Sequence, residues 1–367
     1  MRCMDATLHR SPWPTALQLE LLRVALWPGD AATRHWERLR PGFVLDDVWD
    51  AATYGLLPLV HRRLVALGVD DHVLPRLKGV HRREWYGNRV TVSRLAPVLD
   101  RLERGGIPTM VVDGVALATT YYPELGTRPI DRATVLVPAA DASRAGQLLG
   151  GDAVVLRWQL GAPFVVPGRE LHSDDPFWER AERTEVGGVA TRRLSVGDQL
   201  LHVVVDGIVA RDGGSAQWCA DAALVLRAGG VDWDRFVALT GARRLAPVVG
   251  AALGYLVDAL DLAVPSEVRS RVSSLPVTRL DRQAMDRSLR SGRPGVRGLV
   301  DLGPDWAWRR AKLGWFDALR GVPAYLGDTW QLPPHRVPVE AARRLGRRLA
   351  ELSLHGSRSG TGLRGRG

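Results

Sequence analysis

Hydrophobic positions along the chain change period as the sequence advances. From Thr15 to about Arg104 they recur at helical spacing, with Leu17, Leu21, Val24 and Ala25 on one face. Asp46 and Asp47 precede Val48, Trp49, Ala52 and Leu56, a second amphipathic series with acid at its start. The pattern then shortens. Residues 107–112 form an apolar run that stops at Asp113-Gly114. A helical segment carries Val115, Leu117, Ala118 and the pair Tyr121-Tyr122 before Pro123 and Gly126 break it, and residues 130–137 read as a second strand. Strand, glycine turn, helix, loop and strand together form a small core able to present a phosphate site at a helix start.

Beyond that core, residues 141–149 read as a helix that Asp141 can cap. Residues 153–158 and 164–166 are β-rich runs parted by Gly161 and Pro163, consistent with a hairpin, and residues 189–194 read as one more strand. From Ser195 the period is helical again. Asp232 opens a helix after Gly229-Gly230, and residues 245–260 form a strongly apolar, buried helix that Pro265 ends. The fold class expected is α+β: a small mixed β-sheet flanked by N-terminal and C-terminal helical regions. The expected organisation is a leader (1–14), an N-terminal helical region (15–94), the α/β core (95–194), a helical domain (195–265), a basic, tryptophan-rich helical extension (266–355) and a disordered Gly/Arg/Ser tail (356–367).

Composition narrows the class. In 367 residues, 46% hydrophobic and 25% charged residues describe a globular protein with material for a sizeable core. The net charge of +10 is nearly all arginine, with lysine only at Lys78 and Lys312. This balance favours acidic partners such as nucleotides, acidic peptides or nucleic acid. Two cysteines, Cys3 and Cys219, make neither a disulfide framework nor a zinc site. The start of the chain lacks a signal arrangement, and the longest uncharged apolar run, 245–257, falls short of the roughly 20 residues of a membrane span. A cytoplasmic protein with no membrane partner is expected. His61-Arg62-Arg63 and His81-Arg82-Arg83 fall on the solvent side of their helices, as a binding stripe for phosphate or peptide or as an ordinary charged face. Trp306, Trp308 and Trp315 with Arg309, Arg310 and Lys312 form an aromatic-basic helix suited to docking on the body, to nucleic acid or to a membrane surface.

Residues 106–137 resemble the bacterial family often described as uncharacterised nucleotidyltransferases, a branch of the polymerase-β-like superfamily. Its members read K-G-x-x-L, then Y-P, then R-P-x-x-D-x-D-x-L-V. Gly114, Leu117, Tyr122-Pro123, Arg128-Pro129 and Leu136-Val137 match that pattern without gaps. Weaker similarities run from about residue 46 to 265: Gly55 to Leu59, Asn88, Asp174 to Trp178, Asp198 to His202, and Trp218 with Asp221 and Ala222. The chain departs from the family at its chemistry. Asp113 stands at the lysine position, Arg132 and Thr134 stand at the two aspartate positions, and Asp206 replaces a second histidine.

The resemblance implies nucleotidyl transfer assisted by two magnesium ions, which need hard oxygen ligands. Carboxylates at i and i+2 on a strand share one face and can reach both metals. Arg132 on that face brings a positive charge where a dication belongs, at a like-charge cost of several kcal/mol. Asp131 is one residue out of phase unless a bulge re-aims it. Glu170 is the match to a third metal carboxylate, with His172 at i+2 beside it. Asp131 and Glu170 are thus the candidate catalytic residues, and Gly114, Arg128, Arg132 and His172 the candidate nucleotide-binding residues. No metal set remains, so no cofactor is expected; magnesium and a nucleoside triphosphate would serve a rebuilt site. Three readings follow. The first is a degenerate nucleotidyltransferase that binds a partner; family gene neighbourhoods imply a peptide substrate or a maturation enzyme of ribosomally made peptides. The second is an active nucleotidyl- or phosphoryl-transferase with a rebuilt site. The third is a nucleic-acid-binding accessory protein, less favoured than the first.

Overall fold

The computed structural model describes residues 11–48, 50–149, 154–164, 172–209, 216–279, 281–283, 285 and 342–343. Residues 1–297 make one compact unit and residues 298–367 a second. Glu170, the expected aromatic-basic helix at Trp306 and the tail 356–367 lie outside the described residues. No helix among the described residues is long and apolar enough to cross a membrane.

The fold is α+β. The first unit opens with α1 (Ala16–Leu26) and α2 (Gly29–Leu39), then the short α3 (Ala51–Tyr54), α4 (Leu57–Ala66) and the long α5 (Leu74–Arg104). Thr15 and Gln18 start α1 with a reciprocal capping box, which satisfies two otherwise orphaned amides. The α/β part follows as β1 (Met110–Val112), α6 (Asp113–Thr120), β2 (Thr134–Leu136), α7 (Ala142–Leu149), β3 (Val155–Arg157), α8 (Asp175–Glu179), β4 (Glu182–Val186) and β5 (Val189–Arg193). Five helices close the described part: α9 (Val196–Val209), α10 (Gln217–Ala228), α11 (Trp233–Ala242), α12 (Ala246–Leu260) and α13 (Ser266–Ser274).

The strands form one mixed sheet in the order β3-β2-β1-β5-β4. β1 pairs antiparallel with β2 and parallel with β5; β2 and β3 are parallel; β4 and β5 are antiparallel. The second run of the expected hairpin, 164–166, lies outside the described residues except for Phe164. Residues 155–157 cross over to run parallel beside β2, and Ala162–Phe164 is a single 3-10 turn. A hairpin lies later. Gly187 and Gly188, at φ 59° and 83°, turn β4 into β5, and Val186 faces Val189 across the turn.

Strand alternation sends side chains to two cores. Val111, Val135 and Val137 pack with Leu95, Leu99 and Leu102 of α5 and with Ala145 of α7. Met110, Val112 and Leu136 face the opposite way, into a larger core that also holds Leu21 of α1, Val60 of α4, Leu201 of α9 and Leu253 of α12. The helices before and after the sheet thus share one core. Polar ties join them: Arg23 donates to Ala259 O and Trp27 Nε1 to Leu260 O. Trp218 is buried and donates to Pro12 O at 2.9 Å. α5 runs unbroken past residue 94, so one helix serves both the N-terminal helices and the second core.

Asn88 is the pin between α5 and the loop that follows α6. It is 1% exposed, donates to the carbonyls of Leu125 and Arg128, and accepts from Ile130 N at 3.0 Å. A loop has no ladder to satisfy its backbone, so a buried side-chain amide supplies the partners. We expect Asn88→Ala to leave these groups unpaired and to cost about 3 kcal/mol, read from the midpoint of urea unfolding. A change below about 0.5 kcal/mol, the range of ordinary surface substitutions, would show that the loop holds itself.

Candidate functional site

The strand-to-helix turn at residue 113 is where the chain departs from ordinary backbone. Asp113 sits at φ 56°, a left-handed conformation that costs most residues about 1–2 kcal/mol and that aspartate tolerates better than most. The sequence placed a glycine turn here. The left-handed residue is Asp113, however, and Gly114 is needed for space. A Cβ at Gly114 would lie 2.8 Å from Nη1 of Arg128.

That turn aims the Asp113 carboxylate across the sheet face. Oδ2 lies 3.5 Å from Nη1 of Arg157 on β3, and Oδ1 lies 3.8 Å from Nε2 of His202 on α9. The hydroxyl of Thr134, on β2, lies beside the same carboxylate and helps to lower its pKa. Strand pairing explains the convergence: Val112 is opposite Thr134 and Leu136 is opposite Arg157, so these residues share a face. Burial pushes the Asp113 carboxyl up; Arg157, His202, the Thr134 hydroxyl and Arg128 outweigh it and hold the group below the usual carboxylate range. His202 is buried, and among the described residues its Nε2 has no hydrogen-bond partner.

Beside this cluster Arg128 is engaged twice by one carboxylate. Its Nε donates to Asp221 Oδ1 at 2.7 Å and its Nη2 to Asp221 Oδ2 at 2.9 Å. Tyr122 donates to the same Oδ1 at 2.6 Å and accepts from Gln217 at 2.8 Å. Burial and the adjacent carboxylate push the Tyr122 hydroxyl well above its ordinary range. The guanidinium that the sequence offered to a phosphate is thus committed to α10, a bidentate geometry that suits arginine and carboxylate.

The other candidates lie elsewhere. Thr134 is 2% exposed at the start of β2, whereas Arg132 and Asp131 precede the strand and are exposed. His172 lies in a turn before α8, not on a strand, with its Nδ1 3.0 Å from Asp175 Oδ2. Asp198 is buried and held by both Nε and Nη2 of Arg235. Arg157 was missed, because its run was assigned to a hairpin with residues 164–166 and not placed beside β2. His202 was visible only as the last letter of a weak flanking similarity.

The donor set around residue 113 is one carboxylate, one hydroxyl, one imidazole and the Arg157 guanidinium. It does not fit a pair of magnesium ions, which require several hard oxygens and no competing cation. Among the described residues no three His, Cys, Asp or Glu side chains come together so as to hold a metal ion. With Arg128 and Asp221 included, two guanidinium groups balance two carboxylates, so the cluster neutralises its own charge when His202 is uncharged. Comparison with protein-family models, curated proteins and solved structures finds no match to this chain.

The pairing has a pH signature. A carboxyl with a depressed folded pKa stabilises the fold above its unfolded value of 3.8, and that contribution is lost as pH falls through the lower folded value. Arg157→Gln should cost about 1–3 kcal/mol at pH 7. The gap to the parent protein should narrow below pH 3.8, as Asp113 protonates. Urea unfolding across pH 2.5–7 measures it; a gap independent of pH would mean that Arg157 acts through packing alone.

Proposed function

We propose that this protein is a nucleotidyltransferase-like scaffold that has given up metal-dependent transfer and works as a cytoplasmic binding or accessory protein. The partner this reading favours is a peptide or an enzyme of peptide maturation. The observation that carries it is the fate of the Asp113 carboxylate. A carboxylate stands where the resemblance puts a lysine, a hydroxyl stands at an aspartate position, and the carboxylate lies beside that hydroxyl, Arg157 and His202. A triphosphate brought to Asp113 would meet like charge at short range, at about 4 kcal/mol per pair of unit charges 4 Å apart at an effective dielectric near 20. Arg128, the cation best placed to offset that cost, is already bound to Asp221.

The test is calorimetry with ATP and magnesium, alongside transfer of radiolabel from ATP to protein or added peptide. The expected result is no magnesium-dependent heat of nucleotide binding and no label transfer. Tight magnesium-dependent binding together with transfer would overturn the reading in favour of a rebuilt transferase.

A further inference from the structure

α5 presents a face that is exposed among the described residues. Trp85 and Tyr86 are 44% and 68% exposed, which is unusual for adjacent large aromatics on a helix. Arg82 and Arg89 lie one helical turn to either side of them and are also exposed. Lys78 extends the same stripe by another turn, and the Arg89 guanidinium lies over the Trp85 ring at 5.6 Å. From Lys78 to Arg89 the stripe is about 16 Å long at a rise of 1.5 Å per residue.

The face is held rigid. Asn88, one turn from Trp85 on the flank of this face, pins the loop after α6, and a Cβ at Gly126 of that loop would lie 2.8 Å from Trp85 Cβ. Rigid, partly exposed tryptophan and tyrosine ringed by arginine is the composition of an interface centre, because large aromatics lose little entropy when covered. Its charge selects the partner. Arg82, Arg89 and Lys78 favour acid, and the chain's own residues 286–367 carry far more arginine than acid and so do not complement it. The stripe runs along a convex helix and is flanked by Glu84 and Glu124, whereas single-stranded nucleic acid is tracked by a continuous positive groove.

We infer that the Arg82–Trp85–Tyr86–Arg89 face of α5 is a docking surface for an acidic face or segment of a partner protein. None of these residues belongs to the Asp113 cluster, so this inference stands or falls separately from the proposed function. The probe is a short fluorescein-labelled peptide of alternating glutamate and leucine, titrated with the full chain at low salt and followed by anisotropy. The expected result is saturable binding that weakens about tenfold in Tyr86→Ala and in Arg82→Glu, with unchanged unfolding midpoints. No binding by the parent chain, or binding by either variant as tight as the parent's, overturns the inference. Tighter binding of a labelled oligothymidylate with the same sensitivity reassigns the face to nucleic acid. A concentration-dependent dimer in sedimentation that Tyr86→Ala abolishes reassigns it to a second copy of this chain.

Discussion

A charge taken out of water has to find its counterion inside the protein, and here the sheet and the helical layer supply counterions to each other. Arg128, on the loop after α6, meets Asp221 of α10. Asp113, at the end of β1, meets Arg157 of β3 and the imidazole of His202 on α9. Asp198 of α9 meets Arg235 of α11. An uncompensated buried charge costs several kcal/mol, so each of these pairs constrains where its element can sit. The apolar cores drive the packing, and the charge pairs narrow it to one arrangement of helices over the sheet face.

The same constraint bears on function. Magnesium-assisted transfer needs carboxylates whose charge is left for a metal to neutralise. Around residue 113 that charge faces Arg157, with His202 and Thr134 beside it. The left-handed backbone at Asp113 is a strained feature of the kind that persists where surrounding structure imposes it. Here the surroundings are Thr134, Arg157 and His202, and the strain holds the carboxylate toward them. Our account therefore assigns the turn a structural role in closing the sheet face.

Local patterns with a single cause were legible in the sequence. The face of α1, the Asp232 cap of α11 and the apolar run of α12 follow from periodicity and capping alone. The charged strand β4 was not, because residues 182–186 carry two glutamates and an arginine; only the Gly187-Gly188 turn signalled it. β3 was assigned to a hairpin because sequence proximity says nothing about a parallel crossover partner. In the site, Thr134 could be placed by strand alternation once β2 was recognised. Arg157 and His202 could not, since they come from distant elements whose convergence is a property of the sheet order. Asn88 was visible only as one point of the weaker similarity, and its burial depends on a loop 37 to 42 residues away in sequence.

The central claim is that the Asp113 carboxylate is spent on the protein's own groups. A crystal structure grown with magnesium and a non-hydrolysable ATP analogue tests it most directly. Asp113 should still lie beside Thr134 and Arg157, with Arg128 on Asp221 and no ion between them. A magnesium ion on Asp113, or a phosphate on Arg128 with Asp221 released, would contradict it.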